Sequence, residues 1–427
     1  MLAAGLILAF SYVGIAFTRV PKTNVDRTAA VFIGGILMVV LGVLNFPQAV
    51  AAIDFNTIAL LLGMMLLVSV LQRDGFFTLL AIKAITVAST PNRLLVSMVV
   101  VTAVASAFLV NDVVVLLFTP VIVYTCRLQR LDPIPFLIGE AMASNIGSVA
   151  TITGNPQNVL IGITTGISYT QFFLHLAPIA AASTVLLLGI LWLFYGRKLP
   201  ARFTLSQSEA VIRASLSAAD GGTGAAVNLM GLRKSVPILV VVTLGFFASA
   251  WLGLSIPLLA LIAGAASLLV SHDRPSQVFQ SIDWSLLVFF AGLFVVIGGA
   301  RESGLLDRLL GAVQLDSGLG GIVSIQVFSA AVSQLVSNVP LTVLLIPLLE
   351  TTHGDILWLS LAAGATLGGN ATIIGAVANI IVVEQAAKEG VHVSFGEFLR
   401  VGIPVTAATL AASIAMLTIQ AQIGLLR

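Results

Sequence analysis

The sequence predicts an all-α polytopic membrane protein built from two inverted-topology repeats, with about 11 transmembrane segments, two of them discontinuous helices, plus two re-entrant hairpins. Three observations carry this expectation. Of the 427 residues, 58% are hydrophobic and 9% charged, with a mean hydropathy of +1.09; soluble domains carry about 25% charged residues. A polar stretch running from Val110-Asn111-Asp112 to Pro120 recurs as Ser337-Asn338-Val339 running to Pro347. Basic residues gather on one side of the spans that hydropathy defines.

Taken in order, apolar runs lie near 2–18, 28–46 and 55–71, followed by an amphipathic piece at 75–90 and the polar stretch at Asn111. An interrupted segment at 135–165 and a span at 171–195 complete the first repeat, 1–195. Residues 196–235 read as a cytoplasmic linker, rich in basic residues and holding the loose run Gly221-Gly222-Thr223-Gly224. That run lacks the lysine of a phosphate-binding loop. The second repeat, 236–427, offers spans near 236–252, 256–270 and 284–299, a piece at 304–315, the Asn338 region, an interrupted segment at 357–386 and a last span at 398–424. Asp54, Gly63 and Gly75 match Asp283, Gly292 and Gly304 at one constant offset, which indicates an internal duplication.

Orientation follows from charge. With the first span running outward to inward and each polar hairpin returning to the side it left, every Lys and Arg except Arg301, Arg308 and Arg427 faces the cytoplasm. The N- and C-termini are then outside, and the two repeats have opposite topology. Residues 2–18 have no basic residue before them and precede Arg19, Lys22 and Arg27, the pattern of a retained span. The four tryptophans, Trp192, Trp251, Trp284 and Trp358, fall near span ends, as in an interfacial aromatic belt.

Asparagine at membrane depth is costly unless satisfied, and non-helical backbone is tolerated there only when buried or facing a watery cavity. Asn111, Ser337 and Asn338 therefore read as hairpin tips, where the side chain caps the returning helix and backbone N–H groups face a ligand. Gly147, Gly154, Gly368, Gly369 and Gly375 break the two long segments, and Thr151 and Asn158 line up with Thr372 and Asn379. The alternative is that the hairpins are ordinary spans and the glycines serve close helix packing. Three carboxylates lie within spans: Asp112, Glu140 and Glu384. All three are candidates for proton coupling: Asp112 is a proton carrier or, alternatively, a helix cap facing water, and Glu140 and Glu384 take part in coupling or, alternatively, lie near a membrane face or pair with a backbone group. No Lys or Arg is expected beside the polar stretches. A single cysteine, Cys126, excludes an internal disulfide or thiolate metal cluster. No nucleophile–base pair points to an enzyme, and nothing points to nucleic acid or a cofactor.

At these residues the chain resembles the ion transporter superfamily, which includes arsenite efflux permeases, sodium/proton antiporters, citrate permeases and divalent-anion/sodium symporters. The carriers are Asn111-Asp112 with Leu117 to Pro120, Ser144-Asn145-Ile146-Gly147 through Thr153-Gly154-Asn155-Pro156-Gln157-Asn158, Ser337-Asn338-Val339-Pro340, and Leu367-Gly368-Gly369-Asn370-Ala371-Thr372 through Asn379. The resemblance implies opposed re-entrant hairpins, a dimerising scaffold and a transport domain that moves like an elevator. In the dicarboxylate branch each tip reads Ser-Asn-Thr; here both threonines are lost and one position is acidic, closer to the arsenite permeases.

These features imply a secondary transporter in the inner membrane of a prokaryote, exporting arsenite or antimonite against protons, as a homodimer, with or without a separate ATPase subunit. Arsenite near neutral pH is an uncharged trihydroxide, which Asn111, Thr151, Asn158, Ser337, Asn338, Thr372 and Asn379 would hold without a fixed cation. Sodium-coupled uptake of an oxyanion or carboxylate, sodium/proton antiport, and a channel built on half-helices remain alternatives.

Overall fold

The computed structural model describes residues 1–16, 25–203, 227–310, 318–352 and 354–426. Arg19, Lys22, the run Gly221 to Gly224 and Arg427 lie outside the described residues. The first repeat comprises α1 (Leu2–Ala16), α2 (Arg27–Val40), α3 (Phe46–Ala52), α4 (Phe55–Arg73), α5 (Phe76–Val87), α6 (Pro91–Phe108), α7 (Asn111–Leu128), α8 (Ile134–Ser148), α9 (Pro156–Thr165) and α10 (Tyr169–Tyr195). The second repeats the series as α11 (Leu229–Leu252), α12 (Ile256–Val270), α13 (Pro275–Gln280), α14 (Trp284–Glu302), α15 (Leu305–Leu310), α16 (Leu319–Val336), α17 (Asn338–Leu349), α18 (Ile356–Gly368), α19 (Val377–Lys388) and α20 (Phe395–Gln422). Among the described residues, 8 of these helices are long and apolar enough to cross a membrane, and α1, α2, α5, α12, α17 and α18 are shorter apolar helices.

Local chemistry explains the repeated boundaries. Asp54 and Asp283 cap α4 and α14, accepting from first-turn N–H groups. Gly75 and Gly304 follow those helices in the left-handed conformation, at φ 81° and 69°. Ser168 and Ser394 cap the two longest helices, α10 and α20, and each of these carries one internal proline, Pro178 and Pro404. The expected span 28–46 divides instead, because Asn45 and Gln48 form a capping box that starts α3. The linker is also shorter than expected: Asn228 caps α11, so Leu229 to Ser235 are already helical. Trp358 is a correction as well. It is 6% exposed inside the start of α18, whereas Trp251 is 86% exposed.

The repeats interlock. In one packed group α2 lies along α14 and α4 along α12. A Cβ on Gly63 would fall 2.3 Å from the Ala260 carbonyl carbon, and one on Gly292 would fall 3.1 Å from Phe32 Cα. Each crossing is therefore a backbone-on-backbone contact between a helix of one repeat and a helix of the other. The second group holds the hairpins α6–α7 and α16–α17, the broken pairs α8–α9 and α18–α19, and the long helices α10 and α20, which pack together.

Candidate functional site

Each hairpin turns without glycine. Between α6 and α7 the turn is Leu109-Val110, with Val110 at φ −60° and ψ 119°. Between α16 and α17 it is Ser337 alone, at φ 66° and ψ 166°. The expected tip caps do not form. Val110 and Ser337 occupy the N-cap positions of α7 and α17, neither makes a side-chain cap, and Asn111 and Asn338 are the first helical residues. Valine has no acceptor to offer, so the first turn of α7 meets the cavity uncapped.

Ser337 sits in a backbone region that essentially only glycine occupies freely, at a penalty of roughly 1–3 kcal/mol for other residues. Ser337→Gly is accordingly expected to raise stability by about 1 kcal/mol after glycine's own entropy is subtracted, while weakening transport through loss of a cavity hydroxyl. A thermal melt of the purified protein beside an uptake assay measures both; a lowered melting temperature refutes the strain argument.

The two broken segments are built alike. Thr151 and Thr372 are extended at φ −136°. A 3-10 turn follows at Ile152–Gly154 and Ile373–Gly375. Asn158 then donates its amide to the Ser148 and Thr151 carbonyls, both at 2.9 Å, and Asn379 donates to Gly369 and Thr372 at 2.7 and 2.9 Å. These carbonyls have lost their helical partners, and the asparagines replace them. Thr151 donates to the Ala107 carbonyl, and Thr372 donates to Gln334 Oε1 at 2.9 Å. The glycines serve close approach: a Cβ on Gly147 would lie 2.0 Å from the Ala103 oxygen, and one on Gly368 2.4 Å from Ala330 Cα. Gly154 and Gly375 pack as closely against Ser148 and Gln334, and Gly369 lies against Ala376.

Asn145 joins these parts. Its amide donates to Asn370 Oδ1 and Asn379 Oδ1, both at 2.9 Å, while Asn111 donates to Asn145 Oδ1 at 3.4 Å. One tip and both broken segments are thereby tied through one buried side chain.

A cavity of about 420 Å³ lies where the tips and broken segments meet the α4–α14 face. Of the residues expected from sequence, Asn111, Asp112, Ser337 and Asn338 line it. Thr151, Asn158, Thr372 and Asn379 do not; they hold the helix breaks together behind it. Glu140 is fully buried against Thr119, at 3.1 Å from its hydroxyl, and Glu384 lies on an exposed face of α19; neither lines the cavity. Asn145, Asn155, Gln157 and Gln334 line it as well, although sequence reasoning gave them no site role. Asn155-Pro156-Gln157 directly follows the first break, which was the available signal. Arg27 and Asp283 complete the charged lining, so the expectation of no nearby cation is corrected: the α2 N-terminus brings Arg27 to the cavity.

Three amide oxygens of the lining, Asn111 Oδ1, Gln157 Oε1 and Asn338 Oδ1, are buried without a hydrogen-bond partner. Amide atoms of Asn158, Gln326 and Asn370, away from the cavity, are also unpartnered, but the three in the lining are the ones placed where a solute's hydrogen-bond donors can reach them.

A sequence model of the citrate transporter family matches residues 12–364. The chain belongs to that family. An uncharacterized transporter of Mycobacterium tuberculosis is 35% identical over 95% of this chain and 95% of its own length. The silicon efflux transporter of Oryza sativa is 27% identical, covering 94% of each chain. The P protein of Sus scrofa is 29% identical over 94% of this chain and 57% of its own. Among solved structures, the YdaH transporter of Alcanivorax borkumensis aligns with a TM-score of 0.55 over 99% of this chain and 97% of that one, at 15% identity, a likeness of fold. The family and these matches agree with the ion transporter superfamily read from the sequence. This member of the citrate transporter family is a multi-pass membrane transporter.

Proposed function

We propose that this member of the citrate transporter family exports arsenite or antimonite in exchange for protons, with Asp112 carrying the proton. The observation that supports this most directly is the cavity lining, where unpartnered amide oxygens stand beside one carboxylate on the first tip. An uncharged trihydroxide presents O–H donors, and the amide oxygens of Asn111, Gln157 and Asn338 accept them. Ionised Asp112 accepts a further one. Release of the solute on the outer side leaves Asp112 to take up a proton there, and the protonated tip returns without solute. A relative named for silicon efflux supports the same solute chemistry, because dissolved silicon is also an uncharged hydroxide near neutral pH.

In this reading the protein lies in the inner membrane of a prokaryote, both termini outside, and works as a homodimer whose hairpin-bearing group moves against the α4–α14 face. Its drive is the proton gradient, acting alone or with a separate ATPase subunit. Arsenite accumulation in everted vesicles under an imposed proton gradient tests it. Accumulation that proceeds without sodium and collapses with the gradient is expected; accumulation that requires sodium refutes it.

A second reading, sodium-coupled uptake of a carboxylate or oxyanion, is favoured by two observations: Arg27 lines the cavity, and the family bears the name of citrate. Sodium-dependent citrate uptake with no arsenite movement in the same vesicles would establish it. Sodium/proton antiport at Asp112 predicts neither solute.

A further inference from the structure

Buried polar side chains gather on one side of the hairpin group, behind the cavity. On α16, Gln326, Ser329 and Ser333 follow one another about a turn apart, and all three are fully buried. The stripe reaches the cavity through Gln334, which lines it and donates from its amide to Ser333 Oγ at 3.1 Å. Ser360 on α18, Thr409 and Ser413 on α20, and Ser183 on α10 are fully buried as well. Among the described residues, both amide atoms of Gln326 and the hydroxyls of Ser329, Ser360, Ser413 and Ser183 have no hydrogen-bond partner.

Helix register places these groups on successive levels. A Cβ on Gly364 would lie 2.6 Å from Gln326 Cα and one on Gly368 2.4 Å from Ala330 Cα, so α16 and α18 run parallel and Ser360 lies one turn beyond Gln326. His175 Nδ1 lies 2.9 Å from Gln420 Oε1, and the Tyr195 hydroxyl donates to Glu397 at 3.4 Å. These two contacts set α10 antiparallel to α20 and bring Ser183 level with Thr409 and Ser413. A Cβ on Gly402 would lie 2.4 Å from the Asn370 carbonyl oxygen, at the cavity end of α18, while His175 at the far end of α20 is within electrostatic reach of Asp355, at the start of α18. From that membrane face the levels are Ser413 with Ser360 and Ser183, then Thr409 with Gln326. Ser329 and Ser333 follow, and Gln334 opens on the cavity.

The related positions of the first repeat do not continue such a file. Val99 stands for Gln326, Gly139 for Ser360 and Leu187 for Ser413, at the offsets set by Asn111 and Asn338, Gly147 and Gly368, and Pro178 and Pro404. A need of helix packing alone would fall on both repeats alike. The polar file serves one face only.

We propose that this file holds water and carries protons between the face at His175 and the cavity, by a route through the hairpin group that the solute does not share. Hydroxyls one turn apart, about 5.4 Å, are too distant to bond directly and are spanned by one water making two hydrogen bonds of about 2.8 Å. Buried water settles where polar groups are otherwise unpaired. Each water accepts a proton from one neighbour and passes another to the next, while the serine hydroxyls and the Gln326 amide orient it. A proton entering at the face thus arrives beside Gln334, in the cavity that Asp112 lines, and ends on the Asp112 carboxylate. In the orientation read from charge this face is the outer one. The use of the file rests on Asp112 as proton carrier; its hydration does not.

Two measurements on the full-length protein test the proposal. The first reads water without any solute, as oxidation of side chains by hydroxyl radicals made from nearby water in an X-ray beam. Leu417, between Ser413 and Gln420, and Leu191, its counterpart in the first repeat, are both fully buried. Leu417 is expected to oxidise several times faster than Leu191; equal protection of the two overturns the file. The second compares, in proteoliposomes, arsenite exchange at equal pH with the initial rate of arsenite accumulation under a pH gradient. Gln326→Leu is expected to keep exchange and to lose about tenfold in the gradient-driven rate. Gln326→Asn, which keeps an amide, is expected to recover most of that rate. Thr102→Val, at the position related to Ser329, is expected to match wild type in both. A Gln326→Leu that keeps the gradient-driven rate while Asp112→Asn loses it overturns the file and leaves the coupling at Asp112 standing. Equal loss of exchange and accumulation in both Gln326 variants makes the residue structural and also overturns the file. An Asp112→Asn that accumulates normally removes the coupling reading instead, and the oxidation of Leu417 then decides the file alone.

Discussion

Asp112→Asn is expected to abolish proton-driven accumulation of solute while leaving its downhill exchange measurable. Asparagine keeps the size of the side chain and its capacity to accept from a hydroxyl, so the cavity beside Asn111 and Ser337 stays formed. What it loses is the ability to take up and release a proton. With one proton exchanged per solute, each pH unit of gradient, equal to about 1.36 kcal/mol, supports roughly tenfold accumulation. A gradient of two units therefore separates wild type, at about a hundredfold, from a variant that stops at equilibrium. Equal accumulation by the two proteins removes Asp112 from the coupling step. Glu140→Gln run in parallel addresses the fully buried carboxylate of α8. Because Glu140 lies behind the cavity against Thr119, that variant is expected to keep the gradient response.

Gly147→Ala is expected to destroy the fold of the hairpin group. The added methyl would lie 2.0 Å from the Ala103 carbonyl oxygen and 2.6 Å from its carbonyl carbon, all of them main-chain atoms that no side-chain rotation can move aside. Relief requires α8 to move off α6 by more than an ångström. That displacement also pulls Asn145 away from Asn370 and Asn379. Overpacking alone costs about 1–3 kcal/mol, and each acceptor left unsatisfied adds roughly 1–3 kcal/mol. Gly189→Ala in α10 is the control, because nothing lies within 4 Å of the added methyl. Gel filtration of both variants in detergent checks the prediction: Gly147→Ala should yield little folded protein and Gly189→Ala a normal peak. A normal peak for Gly147→Ala refutes the contact argument.

The architecture was readable because it is written twice. Asp54 with Asp283, Gly75 with Gly304 and Asn158 with Asn379 are local devices, a cap, a left-handed turn and a carbonyl partner, and each works through residues within a few positions of itself. Periodicity and spacing report such devices well. The capping box at Asn45 and Gln48 was equally local and was visible, but hydropathy alone ran through it. Other features were not local. Asn145 acquires its role from Asn370 and Asn379, which lie more than two hundred positions away and meet it only after the repeats close on each other. Arg27 reaches the cavity because α2 packs along α14, a contact between repeats that no pattern within α2 announces. The two classes also divide the expected site. Residues chosen for side-chain polarity split into those that line the cavity, Asn111, Asp112, Ser337 and Asn338, and those consumed in holding the helix breaks together, Thr151, Asn158, Thr372 and Asn379. Composition treats these two groups alike, and only the direction of the broken backbone separates them.

The crossings of α2 with α14 and of α4 with α12 bear on how the chain is made. Some 240 residues of synthesis separate the end of α2 from the start of α14. At about 5–20 residues per second, α2 waits roughly 12–50 s for the surface that buries Gly35. During that interval its small-residue face is open to lipid or to any other nascent segment. The first repeat therefore leaves the ribosome as an unfinished half, with α6 able to pack on α8 and α1 on α2, while the outer faces of α2 and α4 are covered only when the second repeat arrives to be clasped.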